Sequence, residues 1–393
     1  NFLEGEDTLA TFNAFRAMGV DIERRSGLSP ILEIKGVGLN GLKEPNDVIN
    51  CENSGTTARL LTGLLSAQSF FSVLTGDDSL RGRPMKRVVD PLRLMGADIN
   101  GRKESTLLPL AISGGKLKGI EYSTPVASAQ LKSSLLLAGL YAKGETIITE
   151  PAMSRDHTER MLKSFGADIE VKGNTVRIKP GKQLQAQRIT VPCDISSAAF
   201  FMVGAMITPD SDILLRGVGV NPTRTGIIEI LKQMGGLINT QIIGELTGEP
   251  VADIRVTTSK LKGIEIDENL LLPAIDEFPV ICIAAAFADG VTTITGAKEL
   301  RIKESDRIKE MAGVLKAIGI ECKELANGII ITGNNGKAIQ GGVTLDTKGD
   351  HRIAMSVAIA ALRAENGIEI ENWECADVSF PGFFNTLNKV SVR

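Results

Sequence analysis

Basic and hydroxyl side chains gather at a few points of this chain where free backbone N–H groups are expected. Asn53-Ser54-Gly55-Thr56-Thr57-Ala58-Arg59 sets glycine, hydroxyls and an arginine at one predicted helix start. Ser128-Ala129-Gln130-Leu131-Lys132 forms a second such start and Asp350-His351-Arg352 a third. Two loops ahead of further helices contribute Gly82-Arg83-Pro84 and Ser154-Arg155-Asp156-His157. The N-terminus of a helix presents unpaired N–H groups and the positive end of the dipole, so it favours anions. Arginine adds bidentate recognition of carboxylate or phosphate. The stretch Leu300–Arg307 supplies Lys303, Glu304 and Arg307; if it is helical, Lys303 and Arg307 share a face. Each cluster alone has a bland reading. Asn-Ser-Gly-Thr-Thr is good capping chemistry, and Lys303 with Arg307 would serve as a solvated charged face. His157 and His351, the two histidines, could be structural. Together, in a chain of net charge −3, the clusters point to a small ligand carrying several negative groups. Neither a Walker loop nor a dinucleotide fingerprint is present.

These clusters need elements to hold them, and the chain provides a repeat. A helical pattern running into glycine and then a short apolar strand occurs at FRAMGVDI (Phe15–Ile22), LRLMGADI (Leu92–Ile99), LKSFGADI (Leu162–Ile169), LKQMGGLI (Leu231–Ile238) and LKAIGIEC (Leu315–Cys322). Gly19, Gly96, Gly166, Gly235 and Gly319 are spaced by 77, 70, 69 and 84 residues. Each stands where a helix end calls for left-handed backbone. The unit is strand, helix, strand, helix, then two strands. In the second copy, helices are predicted at Thr57–Leu65 and Arg87–Met95, with strands at Ser72–Leu74, Ala97–Asn100 and Leu107–Ile112. The third copy carries helices at Ser128–Ala142 and Thr158–Phe165, with strands at Glu145–Thr149, around Ile169 and at Val176–Ile178. A strand at Ile189–Val191 precedes a helix over Asp194–Ala205; further helices are predicted at Ile275–Ala288 and Asp350–Arg363. Three copies on either side of Pro192 imply two similar domains, 1–192 and 193–393, of the α/β (α+β) class. Amphipathic helices covered by small sheets are the expected packing.

Bulk properties bound the function. At 393 residues the chain exceeds a single core. With 4% aromatics and no net basic charge, a nucleic-acid surface is not expected. No apolar run approaches the roughly 18–20 residues of a membrane helix, so no membrane partner is expected. Five scattered cysteines read as reduced core residues of a cytoplasmic protein, and no Cys/His spacing suggests a metal.

Eight motifs in order now carry a resemblance over the whole chain. They are NSGTTARL from Asn53, GDDSLRGRPM from Gly76, SAQLKSSLLLAGL from Ser128, SRDHTERML from Ser154, DISSAAFF from Asp194, NPTRTGI from Asn221, LRIKESDRI from Leu300 and GDHRIAM from Gly349. The chain resembles the 5-enolpyruvylshikimate-3-phosphate synthases, in wording closer to the bacterial class II branch. The resemblance implies a two-domain inside-out α/β barrel, each domain built from three βαβαββ repeats, with the active site in the cleft between domains. It implies a transferase of aromatic amino-acid biosynthesis and target of glyphosate, joining phosphoenolpyruvate to the 5-hydroxyl of shikimate-3-phosphate with release of phosphate. A cytoplasmic monomer without cofactor or metal is expected, since one chain holds the site. By similarity, Ser128, Ala129, Gln130, Arg155, Asp276 and Lys303 hold shikimate-3-phosphate. Gly55, Thr56, Arg83, Gln130, Arg307 and Arg352 hold phosphoenolpyruvate. Asp276 is assigned to the hydroxyl proton and Glu304 to the carbon proton, with Lys303 stabilising the anionic intermediate. Gly55 leaves room for ligand, and a glyphosate-sensitive or intermediate enzyme is expected.

Two departures matter. Val378 stands before Ser379-Phe380-Pro381 where some relatives carry lysine, and no contact is assigned there. The family's opening P-G-x-K-S-x-S-x-R-A segment is not in the sequence. The expectation is a truncated chain whose isolated 393-residue form turns over little substrate. Competing readings are a binding-only relative; a UDP-N-acetylglucosamine enolpyruvyl transferase, disfavoured because Gly76–Gly82 lacks cysteine; and an RNA 3′-phosphate cyclase, disfavoured by the charge balance.

Overall fold

The computed structural model describes residues 2–25 and 30–391. Two compact units are formed, Asn1–Val191 and Pro192–Arg393. Five helices are buried on nearly every face: α1 (Gly55–Ser66) and α2 (Ala129–Gly139) in the first unit, α3 (Ile195–Ile207), α4 (Phe278–Ala286) and α5 (His351–Ala361) in the second. Sequences such as ISSAAFFMVGAMI and FPVICIAAA have no polar stripe for solvent, so burial is their only stable option. α1 packs on α2, while α3, α4 and α5 pack on one another. Each helix start is marked in the sequence. Ser54, Ser128, Asp194 and Asp350 accept backbone N–H bonds from Thr57, Leu131, Ser197 and Arg352 at 3.2, 3.4, 2.9 and 3.0 Å. α4 has no side-chain cap, and Pro279 instead presets its first turn.

Small sheets cover these helices, and three of them share one topology. Ile49–Asn50 runs parallel to Phe71–Thr75, which pairs antiparallel with Leu107–Ser113 and through it with Asp98–Gly101. The same order recurs in Glu121–Ser123, Thr146–Thr149, Thr175–Lys179 and Asp168–Lys172, and again in Glu265–Ile266, Val291–Ile294, Gly328–Thr332 and Cys322–Leu325. In the fourth copy the opening strand shrinks to a single bridge, Cys193 to Val218, beside the sheet of Asp212–Gly219, Glu249–Thr257 and Leu237–Leu246. That last strand is the longest edge, with a bulge between Ile242 and Gly244. Among the described residues the first copy shows only the antiparallel pair Asp21–Arg25 and Ile31–Lys35. The sixth shows, among the described residues, the parallel pair Val343–Asp346 and Ile368–Glu371 and a bridge from Ile339 to Ala364. All five repeat glycines adopt φ between 80° and 98°, the left-handed conformation their position demands.

Several sequence expectations need correction. Ile189–Val191 does not take strand conformation; among the described residues the first bridge of this stretch is Cys193 to Val218, after the donor-less Pro192. Helix α4 begins at Phe278, three residues later than expected, because Leu272–Glu277 forms a 3-10 turn. Cys193 is exposed, not core. Glu268–Ala286 is long and apolar enough to cross a membrane by length and composition, contrary to the reading of the sequence. Here it is mostly buried, breaks into a short helix, the 3-10 turn and α4, and carries Asp276 and Glu277.

The α1–α2 contact is the closest of these packings. A β-carbon on Gly63 would lie 2.1 Å from the Ser134 carbonyl oxygen, a backbone atom that cannot swing away. Gly63→Ala should therefore destabilise the first unit by about 2–3 kcal/mol through overpacking. Gly313→Ala, which meets nothing within 4 Å, should raise stability by about 0.5–1 kcal/mol as ordinary helix propensity dictates. Urea unfolding of the two variants measures both.

Candidate active site

In the first unit, the predicted ligand residues meet around the starts of α1 and α2. Thr57 donates its hydroxyl to Ser54 Oγ at 2.8 Å, completing the cap that leaves Gly55 as the first helical residue. Arg59, one turn on, is buried and donates from Nη1 to Gln130 Oε1 at 2.6 Å. Gln130 Nε2 in turn donates to Thr56 Oγ1 at 2.9 Å, so the two helix starts are tied together. Arg83 Nη2 donates to Asn53 Oδ1 at 2.5 Å, and Asn53 Nδ2 to Asp77 Oδ2 at 2.6 Å. Gly55 is bare for a reason: a β-carbon there would sit 2.8 Å from Arg59 Nη1 and 3.4 Å from Arg83 Nη1. Gly55, Thr56, Arg83 and Gln130 thus form one cluster. Ser128 caps α2, and Ala129 is its first residue. Arg155 follows buried Ser154 in the loop entering helix His157–Ser164. Ser128 and that loop share one partner, Glu150, which accepts the Ser128 N–H at 2.9 Å and the Ser154 hydroxyl at 2.8 Å.

The second unit gathers the remaining residues. Asp276 lies in the 3-10 turn before α4, with Oδ1 3.3 Å from Lys303 Nζ and 3.7 Å from Arg307 Nη1. Arg307 donates from Nη2 to Glu304 Oε2 at 2.7 Å and from Nε to Asp350 Oδ2 at 2.9 Å. Ser305 donates to the same Asp350 oxygen at 2.9 Å. Arg352, in the first turn of α5, donates to the Asp276 carbonyl at 3.0 Å and lies 3.5 Å from Glu277 Oε1. Lys303 and Arg307 are not neighbours on a helix. Lys298–Ile302 is a 3-10 turn, Lys303 is extended, and helix Arg307–Ala317 starts only after its Asp306 cap. Shared attraction to Asp276, not helical spacing, brings the two cations together.

The sequence reading gives no site role to Arg59, Glu277 or Asp350. Arg59 had a local signal, since i and i+4 on α1 place it beside Gly55. Asp350 sits next to the assigned Arg352, but its partner Arg307 is 43 residues away. Arg307 is 1% exposed. Burial opposes its charge, but Asp350 and Glu304 outweigh that and hold its pKa above the usual arginine range. For Asp350, burial likewise disfavours ionisation; Arg307 prevails and keeps the carboxyl well below the usual range. For His351 the compensation from Asp350 and Glu304 is too weak. Burial, reinforced by Arg352, pushes its imidazole down to about 4.

The family model described as EPSP synthase (3-phosphoshikimate 1-carboxyvinyltransferase) matches residues 1–387. A Geotalea daltonii protein named 3-phosphoshikimate 1-carboxyvinyltransferase is 56% identical over 391 residues, covering 100% of this chain and 90% of its own length. The Geobacter sulfurreducens protein of the same name is 55% identical over 392 residues with the same coverage. A solved structure of EPSP synthase from Acinetobacter baumannii superposes with a TM-score of 0.88 at 52% identity, covering 99% of this chain and 88% of that one. The chain belongs to the EPSP synthase family.

Acid should weaken the second unit through His351. Its folded pKa lies below the unfolded value, so the unfolded state takes the proton first, and stability is lost as pH falls from about 6.5 towards about 4. The full loss would be about 3 kcal/mol. His351→Gln should flatten the stability profile in that window, measured by urea unfolding between pH 4 and 7. An unchanged slope would contradict the assignment.

Proposed function

We propose that this chain transfers the enolpyruvyl group of phosphoenolpyruvate to the 5-hydroxyl of shikimate-3-phosphate, with the residues above in defined roles. The observation that carries the assignment of roles is the single guanidinium of Arg307, in reach of both Asp276 and Glu304 while Lys303 flanks Asp276. Two carboxylates held by fixed cations suit a reaction that must take one proton and give another. Family membership over residues 1–387 supports the overall reaction.

The carbon attacked in phosphoenolpyruvate is vinylic, so direct displacement of its phosphate is closed and addition must precede elimination. Glu304 gives a proton to the methylene carbon while Asp276 takes the proton of the 5-hydroxyl. The C–O bond then forms at the central carbon. Return of a methyl proton to the Glu304 carboxylate restores the double bond as the C–O bond to phosphate breaks, and the proton held by Asp276 leaves with the phosphate. Lys303 neutralises the anionic tetrahedral adduct. Arg307, Arg352, Arg83 and Thr56 take the phosphate and carboxylate of phosphoenolpyruvate, with Gln130 and Gly55 shaping that subsite. Ser128, Ala129, Gln130 and Arg155 take shikimate-3-phosphate, joined by Asp276 and Lys303. In this reading the protein acts as a cytoplasmic monomer, requires no cofactor, and takes glyphosate in the phosphoenolpyruvate subsite.

The test is phosphate release from the two substrates, by the 393-residue chain and by one extended upstream to the length of its curated relatives. Release should require both substrates. Glu304→Gln should lower kcat by about 10²–10⁴-fold, the usual scale for a lost proton donor, while shikimate-3-phosphate still binds. Binding without release in both wild-type forms would favour the binding-only reading. An unaltered kcat in Glu304→Gln would remove that residue from the chemistry.

A further inference from the structure

Below the start of α2 lies a group that the reaction does not use. Lys132 is 2% exposed, and its ammonium lies 2.7 Å from Glu150 Oε2 and 2.7 Å from Glu159 Oε1. Both glutamates are buried as well. The three residues come from three segments: the first turn of α2, the end of strand Thr146–Thr149, and helix His157–Ser164. Glu150 uses both oxygens. Oε1 accepts the Ser128 N–H at 2.9 Å, and Oε2 accepts the Ser154 hydroxyl at 2.8 Å and its N–H at 3.4 Å. A second tie joins the same helices where Ser133 Oγ meets Thr158 Oγ1 at 2.7 Å. Buried ion pairs of this kind add little stability over an apolar filling of equal volume. What they supply is direction, because every bond has a fixed angle and partner.

We infer that the Lys132–Glu150–Glu159 cluster is the positioning device of the shikimate-3-phosphate subsite, locking the Ser128–Gln130 helix start against the Ser154–Arg155 loop. The inference rests on the assignment of Ser128 and Arg155 to that substrate. The cluster does not itself touch ligand: two carboxylates against one ammonium would repel a dianion. It acts through the backbone it holds. Phosphoenolpyruvate shares only Gln130 with this helix start, and the Gln130 amide is held independently by Arg59 and Thr56, so its binding depends little on the cluster.

Calorimetric titration with shikimate-3-phosphate, paired with the two KM values, tests this. Glu150→Gln turns an amide N–H₂ towards the Lys132 ammonium and Ser154. It should weaken shikimate-3-phosphate by at least about tenfold, on the scale of a lost hydrogen bond to a charged group. KM for phosphoenolpyruvate should stay within about twofold, which is below the effect of even one such bond. Should that variant fold poorly, Ser154→Ala removes one hydroxyl donor and should weaken the same substrate about threefold. Ile148→Val, a core trimming on the strand that ends beside Glu150, is the control for stability alone and should leave affinity unchanged. Equal loss of affinity in Ile148→Val and Glu150→Gln at matched Tm, or equal loss for both substrates, would overturn the inference. If the unsubstituted protein fails to bind shikimate-3-phosphate, the subsite assignment falls first and this inference with it.

Discussion

A helix that is apolar on every side leaves the chain little choice. α3, α4 and α5 offer water almost nothing but their first turns, so each must be surrounded, and the sheets therefore lie outside the helices. The N-terminus is where such a helix can be polar without penalty, because its N–H groups need partners anyway. The residues proposed for ligand accordingly collect at helix starts: Ser54 to Arg59, Ser128 to Gln130, Asp350 to Arg352. Core and site share a cause. Enclosing the helices creates the positive ends, and those ends make anion recognition possible.

The two units manage buried charge differently. In the second, Arg307 is hemmed by Asp276, Glu304 and Asp350, so the guanidinium stays ionised although it is sealed from water. Its carboxylates are thereby held where proton transfer is proposed. In the first unit the buried cation, Lys132, pairs with Glu150 and reaches the Ser154 carbonyl, behind the residues proposed for ligand.

Local signals were legible in the sequence; long-range pairings were not. The five glycines after helix ends, the capping residues and the helix-start clusters depend on a few neighbouring residues, and all emerged from pattern alone. The motifs NSGTTARL through GDHRIAM carried the family. What escaped depends on residues far apart in the chain: Arg59 with Gln130 across 71 positions, Arg307 with Asp350 across 43, and Lys132 with Glu150 and Glu159. The end of the 3-10 turn at Leu272–Glu277 reads as part of the helix expected from Ile275 because its composition suits a longer helix; the helix left conditional for Leu300–Arg307 is instead a 3-10 turn followed by the Asp306 cap. The apolar stretch Glu268–Ala286 was underestimated because the acidic pair inside it breaks the run by eye.

Sheets on the outside present their borders to solvent, and an unpaired border is a template for another strand. Three of the borders here are the opening strands Ile49–Asn50, Glu121–Ser123 and Glu265–Ile266, each of two or three residues and too short to recruit a partner. Leu237–Leu246 is the longest border among the described residues, ten residues with Ile242 and Ile243 exposed. Its bulge at Ile242–Gly244 twists the ladder midway, so no long flat run remains for a foreign strand to follow. With a net charge of only −3, the protein has little electrostatic repulsion against strand-to-strand pairing; crooked and abbreviated edges oppose it instead.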